Sequence, residues 1–259
     1  MTKPIKTEAD YRAYARLGQK LGIPTFEAFL EMEVTDGRGQ TVHKHKQRSQ
    51  SWVRNAYNLL FCTMAAYPGQ LSEYGPEGWG LGIKTSYPTG TQVYGWEGTG
   101  YMKIASIGRC NVSGQTAVVV GHASLTSAGY KGLGGVTNTG ILVGTGTVSE
   151  TFDDWLLEAL IANGTEAGQL MYAEMQLPVL QNAGLTLKAP WIRFFNNNSG
   201  GLVSVNEVGL MAAGTTAGMS SGYTGYPWLM ARDVLTSTIT VPDTGQLKVT
   251  YIIQVTYPA

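Results

Sequence analysis

Charge is scarce in this sequence. Asp, Glu, Lys and Arg make up only 14% of its 259 residues, whereas about 25% is usual for a globular protein. The 18 basic and 18 acidic side chains also cancel. Because nucleic acids and anionic membranes attract clustered positive charge, we expect neither as a partner. A weakly charged surface associates readily, so the composition favours a protein that contacts other subunits.

Cysteines and long apolar runs are also rare. We expect the two cysteines, Cys62 and Cys110, to be buried thiols, and the sequence leaves open whether they pair. No run of about 18 apolar residues occurs, so we expect no membrane span. Residues 1–18 are polar and lack the apolar core of a signal peptide, so we expect the chain to be made and folded in a cytosol.

Residues with the spacing of a chemical site are missing as well. The sequence has no Ser-x-x-Lys pair and no phosphate-binding Gly-x-x-x-x-Gly-Lys loop. His43 and His45 lie two residues apart on a predicted strand, but no spacing supplies the two further ligands of a tetrahedral metal site. Asp153 and Asp154 are adjacent and so do not flank a scissile bond. We therefore expect no catalytic residue, no metal, no cofactor and no enzymatic activity.

Glycine and tyrosine, in contrast, are abundant. The chain holds 34 Gly and 14 Tyr, a composition typical of strands joined by many tight turns. With the alternating apolar segments described below, this predicts a mainly β fold: an antiparallel β-sandwich, jelly-roll-like, with an N-terminal helical arm and one or two short packed helices. The expected organisation is an arm in residues 1–25 and a single β-rich domain in residues 26–259, with a long glycine-rich loop insertion at about residues 67–140.

The first predicted element is a helix from Thr7 to Leu21. Thr7 is a suitable N-cap with Asp10 three residues later, and Gly22 followed by Pro24 ends the helix. Its side chains Tyr11, Tyr14 and Leu21 form one largely apolar face that favours contacts with protein. Two alternatives stay open here: an arm that docks on a neighbouring subunit, or a helix that covers its own domain.

A charged hairpin and a second helix follow. Leu30, Met32 and Val34 alternate with polar residues, Asp36-Gly37 marks a turn, and the return strand covers residues 41–49. The side chains expected to pair across this hairpin are Glu31 and Glu33 with Lys44, Lys46 and Arg48. Ser51 then caps a helix whose large side chains predict extensive burial, namely Trp52, Tyr57, Leu60, Phe61 and Met64.

The clearest β pattern occupies residues 141–259. Residues 192–195 predict a strand, residues 196–201 a turn, and residues 202–210 the returning strand. Residues 247–257 are apolar at every second position, and residues 153–161 indicate a helical turn or short helix with Asp153 and Asp154 at its N-terminus. Glu207 and Arg232 lie in two apolar strands, and a buried pair between them would fix strand register.

Aromatic residues among glycines are the candidates for a binding surface. They suit a subunit interface or the stacking of a sugar, although such residues also pack back onto their own domain. Together with the two tyrosines of the first helix, the candidate interface residues are Tyr11, Tyr14, Tyr94, Trp96, Tyr101, Tyr223, Tyr226 and Trp228.

The order of motifs along the chain resembles an uncharacterised family of virion structural proteins from tailed bacteriophages. The match covers about residues 26–66 and 141–259, and residues 67–140 depart from it. The motifs that carry it are Ser51–Phe61, Gly144–Gly146, Asp153–Ile161, Gly168–Leu170, Arg193–Gly201, Val205–Leu210, Leu229–Leu235, Ile239–Pro242, Gly245–Leu247 and Val249–Val255.

This resemblance implies a component of the virion, made in the cytoplasm of the host bacterium. The expected role is that of a capsid decoration or cement protein, a minor capsid protein that stabilises the particle through subunit contacts. The implied partners are other copies of the chain and the major capsid protein or other virion proteins. The alternatives are a tail or connector component, or a receptor- or carbohydrate-binding tail-tip module that contacts a cell-surface glycan.

Overall fold

The computed structural model of the chain describes residues 7–65, 130–217 and 226–259, together with the backbone of five short strands between residues 82 and 120. Within these residues the protein is mainly β, with two antiparallel sheets stacked as a sandwich and a helix near the N-terminus. The predicted fold class is therefore confirmed.

The described elements follow one another in this order: α1 (Glu8–Leu21), β1 (Thr25–Thr35), β2 (Thr41–Ser49), α2 (Arg54–Ala65), β3 (Gly82–Ile83), β4 (Thr85–Ser86), β5 (Val93–Tyr94), β6 (Met102–Lys103), β7 (Ala117–Val120), β8 (Gly140–Gly144), β9 (Met171–Tyr172), β10 (Gln181–Ala183), β11 (Thr186–Asn196), β12 (Val203–Ala217), β13 (Tyr226–Val241) and β14 (Gln246–Thr256). The first sheet has the strand order β10-β11-β14-β1-β2, and β9 also pairs with β11. The second sheet has the order β13-β12-β7, and β8 also pairs with β12. Two small ladders join β3 to β6 and β4 to β5.

The core lies between the two main sheets. Because successive side chains of a strand point to opposite faces, every second residue of the central strands enters it. The buried apolar side chains of the first sheet include Leu30, Met32, Val34, Phe195, Leu247, Val249 and Tyr251. Those of the second sheet include Ile141, Val143, Val205, Val208, Leu210, Leu229, Ala231 and Ile239. Each large apolar side chain buried in this way contributes about 1.5–3 kcal/mol to stability.

Helix α1 forms as the sequence predicts. Thr7 is its N-cap and makes a capping box with Asp10, and Gly22 ends it with a left-handed φ of 69°. The helix packs against β1 of its own domain. Only Gly18 of the helix is buried and most of its other residues are exposed, so both alternatives left open by the sequence stay predictions.

The charged hairpin is confirmed in register and in most of its pairs. Strands β1 and β2 pair so that Glu31 lies opposite Lys46 and Glu33 opposite Lys44, with N–O distances of 2.6 Å and 3.7 Å. Each exposed pair of this kind is worth at most about 1 kcal/mol. Arg48 differs, because it pairs with Glu27 of β1 and with α1 instead.

The predicted hairpin around residues 196–201 is wrong. Strand β11 belongs to the first sheet and β12 to the second, so this turn crosses the sandwich. Asn197 holds the crossing, because its buried side-chain amide donates to the carbonyl oxygens of Gly201 and Val241 at 2.7 Å and 2.9 Å. Asn and Gly favour tight turns of either kind, so their presence did not distinguish a hairpin from a crossing.

The predicted burial of α2 is also wrong in part. The helix begins at Arg54, and Tyr57 and Leu60 are 54% and 46% exposed. The preceding segment is extended because it hydrogen-bonds to the edge of β13, where Trp52 bridges Ala231. The side chains of Phe61 and Met64 lie outside the described residues.

Residues 153–161 form no helix. A turn at residues 152–153 leads into an extended segment whose Ala159 carbonyl accepts from Thr145, while the Ile161 amide donates to Val143 of β8. This pairing competes with helix formation and prevails. Asp153 and Asp154 consequently bind arginines rather than a helix N-terminus.

Candidate interface and buried polar clusters

The candidate interface residues are distributed unevenly between surface and core. Tyr14 of α1 is 48% exposed, and Tyr11 is half-buried against Arg48. Tyr94 and Tyr226 lie in β5 and β13, but their side chains lie outside the described residues. Outside them entirely are Trp96, Tyr101 and Tyr223, as well as Cys110 and His122, and of Cys62 only the backbone, in α2, is described.

The prediction for Trp228 is wrong. Its side chain is fully buried, as are its neighbours from Leu229 to Asp233. This part of β13 is covered on both faces, by the first sheet on one side and by α2 and the segment before residue 160 on the other. The indole Nε1 finds no hydrogen-bond partner within the described part of the chain.

Helix α1 is attached to the first sheet mainly through one arginine. The Arg48 guanidinium lies 4.3 Å from the centre of the Tyr11 ring and 4.5 Å from that of Phe29. It also binds the carboxylates of Glu8 and Glu27 at 2.9 Å and 2.5 Å. A cation held between two rings and two carboxylates joins helix and sheet with little apolar burial, and it leaves the rest of the helix available for other contacts.

The predicted pair of Glu207 and Arg232 exists and is the centre of a larger cluster. Arg232 Nε donates to Glu207 Oε2 at 2.7 Å, and both side chains are buried. The same guanidinium binds Asp154 at 2.8 Å and Glu158 at 3.4 Å. Burial opposes the charged form of Arg232, but its hydrogen bonds to Asp154 and Glu207 outweigh this and raise its pKa. The cluster attaches the segment between residues 146 and 160 to the outer face of the second sheet.

Besides Arg232, three backbone N–H groups donate hydrogen bonds to the Glu207 carboxylate. Its Oε1 accepts from the backbone N–H groups of Gly146 and Ala159, and its Oε2 accepts from that of Glu158. A Cβ at Gly144 or Gly146 would collide with Oε1. These two glycines are therefore required for the backbone to approach a buried carboxylate.

Arg193 forms a second buried cluster, which no local sequence pattern predicted. Its side chain is inaccessible to solvent and stacks 4.8 Å from the centre of the Tyr172 ring. All of its hydrogen bonds go to backbone carbonyl oxygens, at 2.7–3.0 Å. The five acceptors are Leu133, Val136, Thr139, Ile141 and Ala173. Burial lowers the pKa of Arg193 to about 10, and the side chain holds residues 133–141 in place.

Asp233 belongs to a third cluster, between the two sheets. It follows Arg232 directly and so points to the opposite face of β13. Its carboxylate accepts from the Gln50 N–H at 2.8 Å and faces the Tyr251 hydroxyl at 3.4 Å, which in turn contacts Ser49 at 2.7 Å. Burial raises the pKa of Asp233 to about 6, because these hydrogen bonds only partly compensate the loss of water.

His45 has structural partners within the fold. His45 contacts Gln47 at 2.9 Å and Ser237 at 3.3 Å, which helps to close the side of the sandwich between β2 and β13. Among the residues that the structure describes, no three His, Cys, Asp or Glu side chains form a group that could hold a metal ion. No helix in the described ranges is long and apolar enough to cross a membrane.

The expectation that no residues have the spacing of a chemical site is wrong at one stretch, because residues 218–222 follow the Gly-x-Ser-x-Gly pattern of a nucleophile elbow. This stretch lies outside the described residues. The elbow of that enzyme class joins a strand to a helix, whereas this stretch joins β12 to the antiparallel strand β13. The context therefore does not support a nucleophile.

Large apolar side chains are exposed at one end of the first sheet. Strand β1 starts, β14 ends and β11 starts at this end. Leu187, Val255 and Phe26 form its last apolar row, one residue before the terminal row of Thr186, Thr256 and Thr25. We call the exposed residues of this end, together with those of the adjoining edge of the sheet at residues 177–180, the apolar end: Leu21, Ile23, Phe26, Leu177, Val179, Leu180, Leu185 and Tyr257. The sequence offered one signal for it, the apolar run Leu177–Leu180, which has no strand or helix period.

Comparison with known proteins adds no relative. No protein-family model matches the chain, and neither a curated protein nor a solved structure does.

Proposed function

We propose that this protein is a non-enzymatic structural subunit of a bacteriophage virion, most simply a capsid decoration or cement protein. The apolar end is the observation that carries the proposal. Phe26 is 63% exposed and Val179 77% exposed, and large contiguous apolar surfaces on soluble proteins mark sites of protein association. A subunit that stabilises a particle requires such a surface.

The buried polar clusters support a non-enzymatic role. Active sites place groups with shifted pKa values where a substrate reaches them. Here Arg193 and Asp233 are buried and fully engaged with the chain's own groups. Their arrangement serves to hold the two sheets and their crossing segments in one conformation, which suits a rigid building unit.

Within this proposal the partners are other copies of the chain and the major capsid protein or other virion proteins. The charge balance disfavours nucleic acid and anionic membranes. The related alternatives are a tail or connector component and a tail-tip module that binds a cell-surface glycan.

Add-back to particles tests the proposal. Virions produced without the protein are mixed with the purified chain, separated on a gradient, and measured for bound copies and for the temperature at which they release DNA. We expect stoichiometric binding and a higher release temperature, and Glu31→Gln, a change on an exposed pair, should behave like the wild type. Absence from both natural and reconstituted particles, or selective binding on a glycan array, would overturn the decoration role.

A further inference from the structure

The apolar end exists because the first sheet extends beyond the core. Along the inner face of β1, Leu30 is fully buried, Ala28 is 2% exposed and Phe26 is 63% exposed. On β14 of the same sheet Tyr251 is fully buried, and Tyr257, the residue that follows this strand, is 46% exposed. The inner face of the first sheet thus remains apolar beyond the last buried residues of the core.

An apolar ridge lies beside this extension. Gln176 forms an isolated β-bridge with Ile192, and β10 pairs with the start of β11. Residues 177–180 therefore run alongside the middle of β11, between these two contacts. Pro190 occupies that part of β11 and has no N–H to offer an edge partner. Leu177 and Leu180 are 69% and 62% exposed on this ridge.

The exposed area has the size of one half of a stable dimer interface. If a fully exposed large side chain presents roughly 170 Å², the exposed fractions of the apolar end amount to about 800 Å². A standard interface buries about 800 Å² on each partner. The surface is therefore large enough for a specific contact, and much larger than scattered surface apolar residues need to be.

Charge favours an identical partner. The three segments that build this surface, residues 21–26, 176–187 and 249–259, contain no charged side chain. When a surface meets its own copy about a twofold axis, a charge near the axis lies close to its own like-charged copy, which is unfavourable. A surface without charge avoids this cost, and it offers nothing to steer a charged partner.

We propose that two copies of the chain associate through their apolar ends about a twofold axis. The inference rests on the proposed structural role and specifies the contact used. Residues 177–180 of one copy pack on the extended sheet face of the other, around Phe26 and Tyr257, and the converse contact completes the dimer.

Sedimentation equilibrium of the full chain tests this dimer. We expect the wild type to be dimeric at micromolar concentration, and Leu180→Glu and Phe26→Glu each to weaken dimerisation about 100-fold. The matched control is Leu202→Glu, because Leu202 is 72% exposed but lies next to the crossing turn, away from the apolar end. Circular dichroism verifies that all three variants are folded.

A wild type that stays monomeric up to about 100 µM would overturn the dimer, and so would an equal loss of association in Leu202→Glu. Particle add-back separates this inference from the proposed function. A monomer that still binds virions refutes the dimer alone, whereas a dimer that never binds virions refutes the structural role alone.

Discussion

The buried parts of the protein contain charged side chains, whereas the apolar end exposes large apolar ones, which is the reverse of the usual distribution. Arg193, Glu207, Arg232 and Asp233 are buried, either between the sheets or under the segment that covers the second sheet, and each has hydrogen-bond partners. At the end, large apolar side chains remain in solvent although the core lies only two residues away along β1. Polar groups fix one conformation inside, where every unsatisfied group is costly. Apolar groups outside supply non-directional attraction for a partner.

The two buried arginines also differ from each other. Arg232 is neutralised by carboxylates, which belong to the strand beside it and to the covering segment. Arg193 has only carbonyl oxygens as acceptors and therefore depends on the exact path of residues 133–141. Removing the Arg193 side chain takes a donor from uncharged carbonyl oxygens, whereas removing the Glu207 carboxylate leaves the buried positive charge of Arg232 without one of its partners.

Arg193→Met should have the strongest effect on the interior. It removes the Arg193 donor from five backbone carbonyl oxygens, of which that of Leu133 keeps the Val136 N–H as a donor. At about 1–3 kcal/mol for each oxygen left unsatisfied, we expect a loss of about 4 kcal/mol or more in the free energy of unfolding. Chemical denaturation measures this loss. Arg193→Lys, which keeps the charge but has fewer donors, should lose less, and Lys131→Met in the same segment should lose little. A change below about 1 kcal/mol in Arg193→Met would contradict the role given to its hydrogen bonds.

Glu207→Gln should follow. The glutamine amide keeps the shape of the side chain but places an N–H donor against the N–H donors of Arg232. Removing one charge of a buried ion pair costs about 3–5 kcal/mol in the free energy of unfolding. Glu31→Gln, on the exposed pair with Lys46, should cost less than about 1 kcal/mol. In the double variant with Arg232→Met the losses should be less than additive, since the stranded charge is gone. Strict additivity in this cycle would show that the two side chains act independently.

Asp233→Asn should change how stability depends on pH. The folded pKa of about 6 lies above the reference value of 3.8, so the folded protein keeps a proton that the unfolded chain loses between these values. Stability from this group is therefore complete below about pH 4 and falls by about 2–3 kcal/mol as the pH rises through 6. The Asn variant should lack this fall, which denaturation at pH 4.5 and 8 measures. Parallel pH profiles for the two proteins would exclude a raised pKa at Asp233.

Arg48→Ala should have the smallest effect among the interior and helix changes. Losing the contacts to Tyr11 and Glu8 should release α1 at a cost of about 1 kcal/mol. Hydrogen exchange would then accelerate in residues 8–21 while β12 and β13 stay protected. Arg12→Ala, at a side chain 73% exposed, is the control. Unchanged exchange in α1 would mean that other contacts hold the helix.

The sequence was informative where the pattern is local. Capping residues determined α1, alternation determined β1, β2 and β14, and the isolated charges Glu207 and Arg232 predicted their own pairing. It failed where long-range packing decides. The turn at residues 196–201 has hairpin chemistry but crosses the sandwich, and Trp228 resembles an exposed loop aromatic until both faces of β13 are covered.

The candidate site was predictable only in part for the same reason. Arg193 lies in an ordinary alternating strand, and nothing local indicates that five distant carbonyls surround it. The exposure of Phe26 depends on how far the second sheet extends, which is a property of the assembled sandwich. Tyr14 and the helix face, in contrast, followed from helical period.

Thermal unfolding at two protein concentrations compares the interior with the apolar end in one experiment. If the end mediates association, the wild-type Tm should rise by about 3–5 °C for a hundredfold increase in concentration, because mass action stabilises the bound state. Leu180→Glu should lose this rise and keep the wild-type Tm at the lower concentration, whereas Glu207→Gln should lower the Tm at both. A wild-type Tm independent of concentration, or a Leu180→Glu protein destabilised at high dilution, would contradict the division between a self-sufficient interior and a surface built for assembly.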